Sequence, residues 1–166
     1  MKLIDAKKEA TMLLEKTKQK KPPVNLEKIL DYLGIVSCPY DFTSVGASNV
    51  SGYIHKTEGK SVIWVDFKEI KTRQRFTIAH EIGHYLQHMD EDEISYIEYR
   101  GGKSANREVE WNADAFAAEL LMPEKMLAEI HESLPFPTVG AMAYEFEVSR
   151  QAMQIRLDHL GYSYVR

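Results

Sequence analysis

Apolar residues at Leu3, Ile4, Ala6, Ala10, Leu13 and Leu14 recur at helical spacing, so an amphipathic helix is expected from Leu3 to about Gln19. Lys16, Lys18, Lys20 and Lys21 favour the negative end of that helix's dipole, and Pro22-Pro23 breaks the pattern. A short second helix follows, capped near Asn25 and stopped by Gly34. Between Ile35 and Val65 the period changes. Gly52-Tyr53-Ile54-His55 and Ser61-Val62-Ile63-Trp64-Val65 read as strands joined through Thr57-Glu58-Gly59-Lys60, and Ile35 to Cys38 adds a third. A small antiparallel sheet packed on helices is the expectation, with His55 a surface residue at a strand end. The pattern leaves open whether Ser61–Val65 or Ser48–His55 is the sheet edge that would hold an extended peptide.

Farther along, Phe76, Ile78, Ala79, Ile82, Gly83 and Leu86 make one helix apolar on more than one side, which predicts burial. Asp90 to Ser104 interrupts the periodicity with the acidic run Asp90-Glu91-Asp92-Glu93 and the pair Gly101-Gly102. It reads as a solvated connection, the other reading being a cleft rim in which Tyr96 or Tyr99 faces an oxyanion. The stretch Glu108 to Met122 is a strong helix stopped near Pro123, with Val109, Ala113, Phe116, Ala117, Leu120 and Leu121 on one face. Two short helices then meet at Glu147-Val148, the second N-capped by Ser149 and closed by Gly161. The layout is α+β and mostly helical. Residues 1–123 form the main domain, and residues 124–166 a C-terminal helical subdomain packed on it.

With 166 residues, the chain is long enough for one domain with a real core. Its net charge of −4 predicts no strong attraction to nucleic acid or membrane. Residues 138–160 resemble a helix-turn-helix, but the three arginines beyond Thr138 are balanced by Glu145, Glu147 and Asp158, which argues against duplex binding. Cys38 stands alone, so no intramolecular disulfide is possible. Neither a signal-peptide core nor a bilayer-length apolar run is read, and a cytoplasmic, reducing setting is expected.

The chemistry concentrates in His80-Glu81-Ile82-Gly83-His84. On a helix, histidines four apart lie about 40° apart around the axis and one turn along it, so both imidazoles can hold one zinc. Glu81 is rotated about 100° from His80. That places it to act on water as a base rather than to be a ligand. Two histidines and a glutamate on a buried helix are costly unless something satisfies them.

A catalytic zinc takes three protein ligands. His88 rises about 12 Å from His80, too far to share the ion, and is expected as a partly exposed helix-end residue. Gln87 and Asp90 stand where an extended metzincin pattern needs glycine and histidine. On the downstream helix Glu110 falls inside the apolar face, whereas Glu108 and Glu119 fall opposite. Glu110 is therefore the best third ligand and Glu108 a distant second. Asp114 is placed to hydrogen-bond a liganding histidine, and Ala113 and Ala117 would let the two motif helices approach closely.

The run Arg75-Phe76-Thr77-Ile78-Ala79-His80-Glu81-Ile82-Gly83-His84, with Glu110-x-x-Ala113-Asp114-x-Phe116-Ala117-Ala118-x-Leu120-Leu121-Met122-Pro123, resembles the ImmA/IrrE family of zinc metallopeptidases. Val24 to Leu30 with Gly34-Ile35, and Ser51-Gly52-Tyr53-Ile54, resemble it too, so the likeness spans roughly residues 22–123. It implies a zincin-like fold of the gluzincin type, Zn2+ on His80, His84 and Glu110, and Glu81 as catalytic base. It also implies an anti-repressor that cleaves a helix-turn-helix repressor of a mobile element, prophage or stress regulon. The competing expectation is a non-proteolytic module with a structural zinc site, which binds the repressor or touches DNA through residues 138–160.

Overall fold

The computed structural model describes residues 3–57, 59–88, 94–99 and 107–165. In chain order the elements are α1 (Ala6–Lys16), α2 (Leu26–Leu33), β1 (Ile35–Tyr40), a 3-10 turn at Phe42–Val45, β2 (Val50–Thr57), β3 (Lys60–Asp66), α3 (Lys71–Gln87), β4 (Ile94–Tyr99), α4 (Arg107–Leu121), α5 (Glu124–Ser133), α6 (Val139–Phe146) and α7 (Arg150–Leu160). Short polar side chains set four of the helix starts. Asp5, Asn25, Thr138 and Ser149 accept from the backbone N–H groups of Lys8, Lys28, Ala141 and Ala152, satisfying donors that have no partner inside the helix. Gly34 and Gly161 end α2 and α7 in the left-handed conformation, and Glu147 ends α6 there at φ 52°. Among the described residues no helix is long and apolar enough to cross a membrane.

The α+β layout is as expected, but the sheet is mixed rather than antiparallel. Its order is β1-β3-β2-β4, with β2 antiparallel to both β3 and β4 and β1 parallel to β3. The pattern marks β1, β2 and β3 but not their neighbours: β3 turns back from β2 and inserts between β2 and β1. Pro39, which has no N–H to donate, is tolerated because β1 is an edge. β4 is the second correction, since Ile94–Tyr99 pairs with β2 instead of forming a solvated connection. Its isoleucines and tyrosines are good strand formers, and the flanking charges and glycines obscured them. Neither β2 nor β3 is an edge, so both candidates for that place were wrong. Residues 89–93 and 100–106, and the side chains of Tyr96 and Tyr99, lie outside the described set.

The core is a single cluster that includes Leu13, Ile29, Ile54, Ile63, Ile82, Phe116, Leu120, Phe146 and Leu157, so every layer contributes to it. Helix α3 is buried along its middle, as its all-round apolar pattern predicted. Arg75 fixes its first half by donating to the Val24 carbonyl at 2.9 Å and pairing with Glu147 at 3.5 Å. Helix α4 crosses α3 where Gly83 faces Ala113: a β-carbon on Gly83 would stand 3.0 Å from Ala113 Cα and 3.3 Å from its Cβ. The close approach expected from small residues is real, and the glycine on α3 makes it possible. Asn112 clamps α4 from the other side, accepting from Ile4 N at 3.0 Å and donating to Ile4 O at 2.9 Å.

Candidate metal centre

The Gly83–Ala113 crossing brings the one-turn stagger of His80 and His84 on α3 against the first turns of α4, where Glu110 lies. His80 Nε2 is 3.2 Å and His84 Nε2 is 3.5 Å from Glu110 Oε2, and the two Nε2 atoms are 2.9 Å apart. A tetrahedral zinc with bonds of about 2.0–2.1 Å has ligand–ligand edges of about 3.3–3.4 Å. The three separations bracket that edge to within a few tenths of an ångström. Among the described residues this is the group that could hold a metal ion.

The donors are also in the state a cation requires. Asp114 Oδ1 lies 2.9 Å from His80 Nδ1. A carboxylate only accepts, so Nδ1 carries the proton and Nε2 turns its lone pair inward. Burial lowers the pKa of His84 and keeps its imidazole neutral, the form that ligates. Burial alone would raise Glu110, but hydrogen bonds and charge from His80 and His84 outweigh it and hold the carboxylate well below its usual range. Two imidazole Nε2 atoms and a carboxylate oxygen thus converge in a largely buried spot, where a bound cation would replace the hydrogen bonds among them. The residues fit a divalent metal.

Glu81 is wholly buried on α3, on the side facing β2. The structure brings His80, His84, Glu110 and Asp114 together, while Glu108 is exposed and outside the cluster. His88 also lies outside it, but it is buried, not partly exposed. The end of α3 runs under the start of α4, where Gln87 donates to the Val109 carbonyl at 3.3 Å. His55 lies within β2, half-buried, beside the Tyr53 hydroxyl at 3.3 Å, rather than at an exposed strand end. Sequence reasoning missed the roles of Gly83 and Gly52, the second of which abuts Glu81. A glycine inside an element signals close backbone approach, and that signal was available for both.

A family model described as the IrrE N-terminal-like domain, peptidase M78, matches residues 31–158. The chain is 38% identical over 84 residues to the radiation response metalloprotease IrrE of Deinococcus radiodurans, covering 50% of this chain and 25% of that protein. It is 29% identical over 86 residues to the metallopeptidase ImmA of Bacillus subtilis, covering 52% of this chain and 48% of that protein. The matched region thus spans less than half the length of either relative.

Proposed function

Because this chain belongs to the M78 peptidase family of IrrE N-terminal-like domains, we propose that it is a zinc-dependent metalloendopeptidase that cleaves a helix-turn-helix transcriptional repressor in the cytoplasm. The observation that carries the reading is the convergence of His80, His84 and Glu110 at near-tetrahedral separations. Two neutral imidazoles and one carboxylate are a donor set of the catalytic zinc class. When bound there, zinc supplies Lewis acidity toward water and the scissile carbonyl. Glu81 accepts the proton of the attacking water and returns it to the leaving amine. Asp114 holds the His80 ring in its ligating orientation. We assign pairing with an extended substrate backbone to β4, the sheet edge that adjoins β2 and hence Gly52 and Glu81.

The repressor target rests on the family resemblance and on the charge of the C-terminal helices. Arg156, the central cation of α7, is buried and forked onto Glu119 at 2.8 and 2.7 Å, which leaves it unfit for phosphate contact. Incubating the zinc-loaded chain with helix-turn-helix repressors encoded in the same genome, read by intact mass, tests the proposal. One repressor should yield two fragments with the parent, and none with Glu81→Gln at unchanged metal content. Cleavage by that variant at the parental rate would remove the mechanism. An unchanged repressor mass together with a stable complex would replace the protease by the binding module.

A further inference from the structure

Gly52 lies in the middle of the sheet, paired with Val65 on β3 and with Glu98 on β4. A bulge stands beside it, where the β2–β4 register shifts between Val50 and Gly52. Such bulges bend a strand and change where its next residues point. A β-carbon built on Gly52 would collide with Thr77 Cγ2, stand 3.2 Å from Glu81 Oε1 and 3.5 Å from the Trp64 carbonyl oxygen. The strand cannot back away, because a ladder holds it on each side. Thr77 is fully buried one turn before Glu81 on α3, and its β-branched side chain has few rotamers in a helix. Any atom added at Gly52 therefore displaces Thr77 and the Glu81 carboxylate.

We propose that Gly52 is a positioning residue for Glu81: the missing side chain leaves the slot in which the carboxylate stands. The role of Glu81 as the base in this inference rests on the peptidase reading; the slot itself does not. Position matters because a misplacement of about 1 Å in a reacting group can cost on the order of 100-fold in rate. Glycine inside a strand is otherwise unfavourable, through lost packing and chain entropy.

The experiment compares the zinc-loaded parent with Gly52→Ala, Thr77→Ser and the double variant. It uses a quenched fluorogenic peptide spanning the bond the parent cuts, with metal content measured alongside. For Gly52→Ala the expected result is full metal content, KM within about twofold, and kcat down by about 10- to 100-fold. Thr77→Ser, which removes only the colliding methyl, should behave as the parent. The double variant should recover most of the loss and remain several-fold low, because the 3.2 Å approach to Glu81 persists. Parental kcat in Gly52→Ala, or a double variant no better than the single, would overturn the proposal. Should Gly52→Ala fail to fold, the double variant decides: kcat several-fold low at full metal content supports the slot, and parental kcat overturns it. If the parent cuts no peptide, the peptidase reading falls, and crystal structures decide the slot. A Glu81 carboxylate displaced in Gly52→Ala and returned in the double variant supports it; an unmoved carboxylate overturns it.

Discussion

Asp114 makes one visible contact with the centre, its bond to His80 Nδ1 at 2.9 Å, yet that bond fixes which nitrogen of the ring can ligate. Asp114→Asn should weaken metal binding by about 10- to 100-fold without unfolding the chain. Competition against a chromophoric chelator measures this, and parental affinity would show that Asp114 is only a surface carboxylate. Acid should also act on the centre. Burial depresses the pKa of His84, so between its unfolded and folded values the unfolded chain binds more protons, and stability rises with pH. Glu110, held below its usual range by the two histidines, has the same sign. The chelated protein should therefore lose thermal stability as pH falls from about 6.5, the free histidine value, and lose more through the carboxylate range near 4. A flat or inverted melting profile would contradict the protonation states assigned to both. Much of this was legible in sequence: a lone carboxylate on the apolar face pointed to Glu110, and four-residue spacing pointed to Asp114. The Gly52–Glu81 contact was not, because it joins a strand to a helix and no periodicity within either element encodes it.

At the scale of elements, the site depends on how close α4 comes to α3. Gly83→Ala sets two effects against each other. Alanine favours a helix interior over glycine by about 1 kcal/mol. Against that, the new methyl would stand 3.0 Å from the Ala113 backbone, which cannot yield as a flexible side chain would. Overpacking of this kind costs about 1–3 kcal/mol, so the net change should be destabilising. Urea unfolding of the metal-free protein tests the sign, and a stabilised variant would mean the helices can part without cost. The caps of α2 and α7 could be read from the chain because each is set by residues within a turn of its end, Asn25 with Gly34 and Ser149 with Gly161, whereas α5 starts without a side-chain cap and was not read. Strand order could not, because it is fixed by pairing between distant segments. The parallel β1–β3 ladder and the β4 edge emerged only in three dimensions.

For the whole molecule, a metal held by His80, His84 and Glu110 would be a cross-link. It would tie α3 to α4, and both belong to the core cluster that reaches from Ala10 to Leu157. A metal that binds the folded chain alone stabilises it by mass action, by about 2.7 kcal/mol at a hundredfold excess over Kd. Melting temperature should rise with zinc concentration and fall with chelator, equally for the parent and Glu81→Gln, whereas Glu110→Ala should show little shift. A zinc response in Glu110→Ala as large as the parent's would place the metal elsewhere. The contact of Gly83 with Ala113 also sets what could be moved to another scaffold. The five-residue motif on α3 would arrive without the backbone that Gly83 was left bare to meet, and without Glu110 or Asp114. The smallest graft that carries the ion-binding geometry is the crossed pair of helices, with Gly83 kept at the crossing.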